Sequence, residues 1–144
     1  MSVTLETASA ATDELVAALN ALLPQLAPAA VPITRATLAA TLAQPDLTLL
    51  LARDAAGTIV GTATLIVYQI LTGRHARLDD VVVDDAARGQ GIGAALTLEA
   101  IRLARKQGAV NMYLTSAPHR QAAQRLYERL GFTRPNTDSF RLAL

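Results

Sequence analysis

Six consecutive residues, Arg88-Gly89-Gln90-Gly91-Ile92-Gly93, constrain the fold of this chain more than any other segment. They follow residues 78–83, a short valine-rich run that predicts a buried strand. They precede residues 94–107, whose apolar side chains recur at helical spacing. A strand, a glycine-rich turn and a helix in this order predict a sheet with helices packed on it.

The start of the helix after these glycines is suited to bind an anion. Its first backbone N–H groups have no acceptor within the helix, and the aligned peptide dipoles favour negative charge there. Glycine lets the backbone approach a ligand without a Cβ in the way. Arg88, just before the glycines, adds a planar and permanently charged donor that suits phosphate oxygens. The implied ligand carries a pyrophosphate.

Two common phosphate-binding motifs fit this loop poorly. A P-loop requires lysine after its last glycine, and here Ala94 follows Gly93. Gly89, Gly91 and Ala94 match the dinucleotide-binding fingerprint G-x-G-x-x-G/A, which also requires an acidic residue about 20 positions later. Residues 109–112, where that acidic residue would stand, contain no carboxylate, so a dinucleotide site is the weaker alternative.

A third pattern, R/Q-x-x-G-x-G/A, is matched by Arg88, Gly91 and Gly93 and resembles the acetyl-CoA loop of the GNAT N-acetyltransferase superfamily. Residues 120–132 resemble the late helix of the same superfamily, N-x-x-A-x-x-L-Y-x-x-x-G-F. The two motifs occur in the right order, and 39 residues separate the arginine of the first from the tyrosine of the second. The resemblance is specific over residues 79–132.

The resemblance implies an α/β fold of the acyl-CoA N-acyltransferase type, in which about four helices flank a central mixed sheet. It implies one domain spanning residues 1–144 that moves acetyl from acetyl-CoA to a primary amine of a small molecule or peptide. Direct attack in a ternary complex is expected, because the chain has no cysteine to carry the acetyl group. A catalytically silent CoA- or acetyl-CoA-binding sensor or accessory domain is the alternative. Pairing as a homodimer is a further implication.

The resemblance also implies which segments hold acetyl-CoA. The backbone of the strand before the glycines would bind the pantetheine amides, and the glycine loop would bind the pyrophosphate. Arg120 replaces the usual asparagine of the late helix and could reach a phosphate or an acidic substrate instead. Ser116 also fits the N-cap of that helix, which is its simpler interpretation. The residues expected to contact the cofactor are Val81, Val82, Val83, Arg88, Gly89, Gln90, Gly91, Ile92, Gly93, Ala94, Ser116, Arg120 and Ala123.

Tyr127 is the candidate general acid by its place in the late-helix motif. A phenol has a pKa near 10, close to that of a thiol leaving group, so it can protonate a thiolate without ionising at rest. The alternative is that Tyr127 packs between helix and sheet, as is expected of Tyr68 and Tyr113.

Asp79 and Asp80 are the candidate catalytic bases, because a carboxylate at the start of a buried strand is costly unless it is paired or solvated. Neighbouring strand residues face opposite sides, so one of the two is expected to face the cleft. Regular alternation favours Asp79, whereas a β-bulge would reverse that choice. An ion pair with a nearby arginine, either Arg74 or Arg77, is the alternative role, and His75 is the next candidate base.

Composition excludes several classes of function. A net charge of +1 gives no electrostatic reason to bind nucleic acid or an anionic membrane. The absence of cysteine removes disulfides and thiolate metal sites, and the two histidines lack metal-ligand spacing, so no metal is expected. No apolar run is long enough for a membrane helix and the N-terminus does not resemble a signal peptide, so a cytoplasmic protein is expected.

Turn, cap and periodicity signals predict the remaining elements. Thr12 or Asp13 is expected to cap the first helix, and Thr34 the second. The predicted segments are strand 3–7, a helix ending near 23, loop 24–33, a helix through 42, strands 47–53 and 58–68, loop 69–77, a helix ending near 108, strand 110–115, a helix from 116 or 118 to 131, and a final strand 140–144.

Overall fold

The computed structural model describes residues 2–144 and contains one five-stranded sheet with the strand order β1-β2-β3-β4-β5. The first four strands pair antiparallel, and β5 pairs parallel with β4. The elements are β1 (Thr4–Thr7), α1 (Asp13–Leu26), α2 (Arg35–Leu42), β2 (Leu47–Arg53), β3 (Ile59–Ile70), β4 (Gly73–Val83), a 3-10 turn (Asp85–Ala87), α3 (Ile92–Lys106), β5 (Asn111–Tyr113) and α4 (Gln121–Arg129).

The helices cover both faces of the sheet, which confirms the predicted α/β fold with a mixed sheet. Successive residues of β2 point to opposite faces, so Leu50 contacts α3 while Leu49 and Leu51 contact α1 and α2. The core under α3 includes Leu50, Ala52, Val60, Ala63, Leu78, Ile92, Leu96 and Ala100. The core under α1 and α2 includes Leu15, Leu19, Leu22, Leu38, Leu49, Leu51, Ile59 and Val82.

Threonine caps fix the starts of the first two helices as predicted. The Oγ1 atom of Thr12 accepts a hydrogen bond from the Leu15 N–H at 3.1 Å, and Thr34 caps α2 in the same way. The first helix does not end at residue 23, because Pro24 is accommodated in its last turns. The N–H of Ala27 still donates to the Leu23 carbonyl at 2.8 Å, so the helix continues past the proline.

Residues 69–77 were expected to form a loop, and that expectation is wrong. The chain turns sharply between Ile70 and Gly73, which pair with each other, and β4 already begins at Gly73. The segment has the polar composition of a loop, but Arg74 and Arg77 are only partly exposed on the strand and the two residues between them, His75 and Ala76, are buried. Long arginine side chains can keep their charged ends in water while their backbone is part of the sheet.

Two expectations near the C-terminus are also wrong. The last helix begins at Gln121 and not at Ser116 or Pro118, because residues 117–120 form a turn closed by the Arg120 N–H on the Ala117 carbonyl at 3.0 Å. Residues 140–144 form no strand, since no neighbouring strand of the described chain pairs with them.

A β-bulge interrupts β4 just before the glycine loop. Thr62 pairs with Val82 and Thr64 pairs with Asp79, so two residues of β4 lie opposite one residue of β3. One of these two, Asp80, has a φ of 51°, the left-handed region that side chains other than glycine rarely adopt. The bulge shifts the alternation, and Asp79 therefore does not share a face with the valines at 81 and 83.

Packing of α3 against the sheet positions the glycine loop. Truncation of Leu96, a fully buried residue of α3, tests how much this packing contributes to stability. Leu96→Ala is expected to lower the free energy of unfolding by about 2–5 kcal/mol, because it leaves a cavity beneath α3. Leu98→Ala, on the same helix but 53% exposed, is expected to change it by less than about 0.5 kcal/mol. Urea unfolding followed by circular dichroism measures both, and equal losses would contradict this account of the core.

Candidate active site

Strands β4 and β5 pair over three residues and then separate. The pairs run from His75–Asn111 to Arg77–Tyr113. Beyond them, within residues 2–144, no strand pairs with the β5-facing side of residues 78–83. A backbone edge of this kind can pair with the amides of an extended ligand, because its N–H and C=O groups have no partner in the sheet.

The glycine loop joins the end of β4 to the start of α3. Gly91 is the N-cap of α3, and its φ of 79° lies in the left-handed region that glycine adopts without strain. A Cβ built on Gly91 would meet nothing within 4 Å, so the residue faces open space. No side chain caps α3, and its first N–H groups are therefore available to a ligand.

A cleft of about 570 Å³ lies between this loop and α4, and we call it the first cleft. Three arginines line it and no carboxylate of the described chain does, so its charge favours an anionic ligand. A Cβ on Gly93 would lie 3.4 Å from the Leu126 side chain, which shows how closely α4 approaches α3. The lining residues are Gln25, Val81, Val83, Ala87, Arg88, Gly89, Gly91, Ile92, Gly93, Ala94, His119, Arg120, Gln121, Ala122, Ala123, Leu126, Tyr127 and Arg129.

The loop is held in place from both sides. Arg88 forms an ion pair with Asp85 at 2.7 Å, and its Nε donates to the Val83 carbonyl at 3.1 Å. Gln25, near the end of α1, donates to the Asp84 carboxylate and accepts from the Asp85 N–H, both at 2.9 Å. These contacts fix the entrance of the loop relative to α1.

A second cleft, of about 440 Å³, lies between β5, α4 and the segment that follows α4. The Oγ atom of Ser116 is buried there and has no hydrogen-bond partner among residues 2–144. On the outer side, Arg134 donates to Gln124 at 3.2 Å and to Glu128 at 3.0 Å. The lining residues are Met112, Tyr113, Leu114, Thr115, Ser116, Gln124, Tyr127, Glu128, Phe132, Thr133, Arg134, Pro135 and Thr137.

Tyr127 lines both clefts and is 9% exposed. Its ring packs edge-on against Phe132, with 5.7 Å between the ring centroids. Burial raises the pKa of the Tyr127 phenol above its usual value, and the positive charge of Arg120 partly offsets that rise. The phenol is therefore protonated at neutral pH and can act as a proton donor.

The two candidate bases differ in their surroundings, and neither side chain lines a cleft. The Asp79 carboxylate is paired with Arg77 at 2.8 Å, which is the structural role considered for it. Asp80 has no ion-pair partner within the described residues. Desolvation, and then the nearby charge of Asp79, raise the pKa of Asp80 above its usual value.

His75, the next candidate base, is buried in β4 and 7% exposed. It lies between the rings of Tyr68 and Tyr113, at centroid distances of 6.0 and 5.8 Å. Its Nδ1 atom has no partner among residues 2–144, and the side chain lines neither cleft.

The structure brings most of the predicted cofactor residues together around the first cleft. Val82 is 1% exposed and packs beneath α1, because neighbouring strand residues face opposite sides and Val81 and Val83 face the cleft. Gln90 is exposed and does not line the cleft, and Ser116 lines the second cleft. The expectation that Ser116 caps the last helix is wrong, since Arg120 occupies the N-cap.

Sequence analysis missed Gln25, His119, Leu126 and Arg129 in the first cleft. The contact between Gln25 and Asp84 joins positions 59 residues apart, which no local pattern reveals. Leu126 and Arg129 could have been found from helical spacing, because Leu126 lies three residues after Ala123 on α4 and Arg129 lies three residues after Leu126.

A sequence model of the Acetyltransferase (GNAT) family matches residues 14–132, from the first helix to the end of the late-helix motif. The matched range includes the glycine loop, the helices α3 and α4 that border the clefts, and Tyr127. The chain belongs to the GNAT acetyltransferase family.

Individual relatives agree with this assignment. A glucosamine 6-phosphate N-acetyltransferase of Trypanosoma brucei brucei is 37% identical over 79 residues, which are 53% of this chain and 52% of the relative. A mycothiol acetyltransferase of Thermobispora bispora is 38% identical over 88 residues, 59% of this chain and 30% of the relative. The chain thus spans about half or less of these two curated relatives.

A solved structure from Agrobacterium tumefaciens str. C58 is similar along nearly its whole length. It is 30% identical in sequence and superposes with a TM-score of 0.85, covering 98% of this chain and 99% of that one. Within residues 2–144 of the GNAT-family protein, no helix is both long and apolar enough to span a bilayer. Across the same residues, no three metal-ligating side chains cluster.

The glycine at the start of α3 provides a direct test of the anion site. Gly91→Glu is expected to weaken CoA binding by about 100-fold, because it places a carboxylate where the pyrophosphate would lie. Gly57→Glu is the matched control: Gly57 has a φ of 85° and equally open surroundings, but lies in the β2–β3 turn. Calorimetry with CoA should show binding lost only in the first variant, and equal loss in both would contradict the site.

Proposed function

We propose that this GNAT-family protein transfers the acetyl group of acetyl-CoA to a primary amine by direct attack in a ternary complex. The observation that carries the proposal is Tyr127, a buried phenol in the wall shared by an arginine-lined cleft and a second cleft. A proton donor is needed where the two substrates meet, and this residue is placed between the spaces that could hold them.

In the proposed complex, acetyl-CoA occupies the first cleft. The N–H groups at the start of α3 bind the pyrophosphate, and Arg88 and Arg120 contribute positive charge. The pantetheine arm extends along β4 beyond its last pair with β5, where the backbone of Val81 and Val83 offers free amide groups. Both valines line the cleft, which supports this path.

The acceptor amine enters from the second cleft in this proposal. Its nitrogen attacks the thioester carbonyl carbon, and the C–S bond breaks as the tetrahedral intermediate collapses. Tyr127 donates its proton to the departing thiolate. The raised pKa of the Tyr127 phenol suits this role, because the group stays protonated until a strong base forms beside it.

Asp80 is the proposed proton acceptor for the amine, acting through water. Asp79 is less suited, because its carboxylate is paired with Arg77 at 2.8 Å. Desolvation and the nearby charge of Asp79 raise the pKa of Asp80, which makes its carboxylate a stronger base than an ordinary aspartate. The bulge that carries Asp80 thus reverses the preference that regular alternation gave to Asp79.

The first acceptor to test is glucosamine 6-phosphate, because one relative is named as its N-acetyltransferase. We propose the cytoplasm as the site of the reaction, where acetyl-CoA is available. A screen of small amines and peptides for release of the CoA thiol would find other acceptors. If CoA binds but no amine causes thiol release, the protein is a CoA-binding sensor rather than an enzyme.

Tyr127→Phe is expected to lower kcat by about 10- to 1,000-fold while leaving the dissociation constant of CoA nearly unchanged, because only the proton donor is lost. Tyr68→Phe is the matched control, since Tyr68 lines neither cleft and should keep full turnover. Steady-state kinetics of CoA thiol release measure both variants. Unchanged turnover in Tyr127→Phe would reduce that residue to a packing role.

Asp80→Asn is expected to lower kcat by about 100-fold, whereas Asp79→Asn should change it only a few-fold. The two variants also differ in pH dependence. Because the charge of Asp79 helps to raise the pKa of Asp80, Asp79→Asn should lower that pKa and move the acidic limb of kcat to lower pH. Profiles at saturating acetyl-CoA with the same amine measure this. If neither variant changes acceptor kinetics, Asp80 is not the base.

A further inference from the structure

The second cleft contains a polar group for which the protein itself supplies no partner. The Oγ atom of Ser116 is buried, lines the cleft and makes no hydrogen bond within residues 2–144. A buried hydroxyl without a partner costs free energy comparable to a lost hydrogen bond. Because a serine hydroxyl can donate one hydrogen bond and accept two, a molecule that enters this cleft can satisfy it.

The backbone on both sides of Ser116 is held in place. Strand β5, which pairs with β4, ends three residues earlier at Tyr113. On the other side, the Ala117 carbonyl accepts hydrogen bonds from the Gln124 side chain at 2.9 Å and from the Arg120 N–H at 3.0 Å. The Ser116 side chain is therefore presented to the cleft from a fixed backbone, as the selective recognition of one group requires.

The other polar groups of the second cleft add hydroxyls but no net charge. Thr115, Thr133 and Thr137 each contribute a hydroxyl to its lining. Among the described residues that line it, only Glu128 and Arg134 are charged, and their side chains form an ion pair at 3.0 Å. Because these two charges are opposite and paired, the cleft offers hydrogen-bonding groups without a free cation.

The first cleft has the opposite chemistry. Three arginines line it and no carboxylate of the described chain does. A phosphate group is therefore favoured in the first cleft, whereas in the second cleft it would lose hydration without meeting an unpaired cation. The same argument applies to a carboxylate group. The two clefts thus differ in whether they favour an anionic or a neutral ligand.

Apolar side chains form much of the remaining lining of the second cleft. Met112, Leu114 and Phe132 belong to it, and Tyr127 lines both clefts. A cavity with an apolar surface and a few polar groups that fix orientation is the usual form of a small-molecule site. A compact molecule that combines a carbon skeleton with hydroxyl groups matches this surface.

We propose that the second cleft selects acceptor amines that carry hydroxyl groups and no anionic group, such as unphosphorylated amino sugars. Ser116 hydrogen-bonds one hydroxyl of the acceptor, and the apolar lining contacts its carbon skeleton. Ser116 is therefore a specificity-determining residue. This inference rests on the proposed function, because it takes the second cleft as the entrance of the acceptor.

Glucosamine and glucosamine 6-phosphate differ only by the phosphate, so they test this selection. Calorimetry is carried out on protein saturated with CoA, which fills the first cleft and carries no acetyl group to transfer. Glucosamine is expected to bind at least about 10-fold more tightly, because the phosphate meets no unpaired cation in the second cleft. Glucosamine that binds no more tightly than its phosphate would overturn the proposal.

Ser116→Ala is expected to raise the dissociation constant of glucosamine about 3- to 10-fold, because one hydrogen bond is lost. The dissociation constant of CoA should stay the same and the unfolding temperature should not fall, whereas loss of a purely structural hydroxyl would lower that temperature. Ser139→Ala is the matched control, since Ser139 is exposed and lines neither cleft. Unchanged glucosamine binding in Ser116→Ala would contradict the role of this residue.

Glu128→Gln tests the charge balance in the opposite direction. It leaves Arg134 without its carboxylate partner, so the affinity for glucosamine 6-phosphate should rise about 3- to 10-fold while that for glucosamine stays the same. Glu99→Gln is the control, because it releases Arg102 from an ion pair on α3, and neither residue lines a cleft. An unchanged preference in Glu128→Gln would contradict the selection by charge.

Turnover with acetyl-CoA separates this inference from the proposed function. If glucosamine binds the CoA complex more tightly than its phosphate but causes no thiol release, the selection stands and the proposed acetyl transfer to it is wrong. If thiol is released but glucosamine 6-phosphate has the higher kcat/KM, the proposed function stands and the selection is wrong.

Discussion

The separation of β4 from β5 is the constraint on which the rest of the site depends. After Arg77 and Tyr113 the two strands no longer pair, and the end of β4 keeps unpaired backbone groups on that side within the described chain. Because this edge borders the first cleft, its N–H and C=O groups are open to hydrogen bonds from water or from a bound molecule. The glycine loop, α3 and α4 surround this opening, so the sheet itself determines where a ligand can bind.

Charge is distributed so that the two ends of this opening differ. The first cleft contains Arg88, Arg120 and Arg129 and no carboxylate of the described residues. The carboxylates of Asp79 and Asp80 belong to an earlier part of β4. Asp79 is the last paired residue before the bulge, and Asp80 lies within it. In the proposed complex this separation of charge directs the phosphate end of acetyl-CoA to the arginines, and Asp80, which has no ion-pair partner among the described residues, favours a cationic amine near it.

Local patterns in the sequence were enough to predict the parts of the site that are formed by neighbouring residues. The glycine loop, the start of α3 and the place of Tyr127 on α4 follow from motifs of six to thirteen residues, and the threonine caps of α1 and α2 follow from single positions. These features depend on contacts within a few residues, which propensity and spacing describe well.

Features that depend on distant contacts could not be predicted. The bulge at Asp80 arises from the pairing of β4 with β3, and it reversed the expected facing of Asp79 and the valines. The support of the loop by Gln25 joins α1 to a turn 59 residues later. Residues 140–144 have the pattern of a strand, but a strand also requires a neighbour to pair with, and the described chain provides none there.

Gly91 and Gly93, the two glycines of the R/Q-x-x-G-x-G/A pattern, are limited by different structural requirements. Position 91 has a left-handed backbone, which favours glycine because other residues adopt this conformation only at a cost, even though the space around it is open. At position 93 a methyl group would meet Leu126 at 3.4 Å and Val83 at 3.9 Å, which are ordinary van der Waals contacts. Backbone torsion therefore favours glycine at position 91, whereas at position 93 the available volume accepts either glycine or alanine.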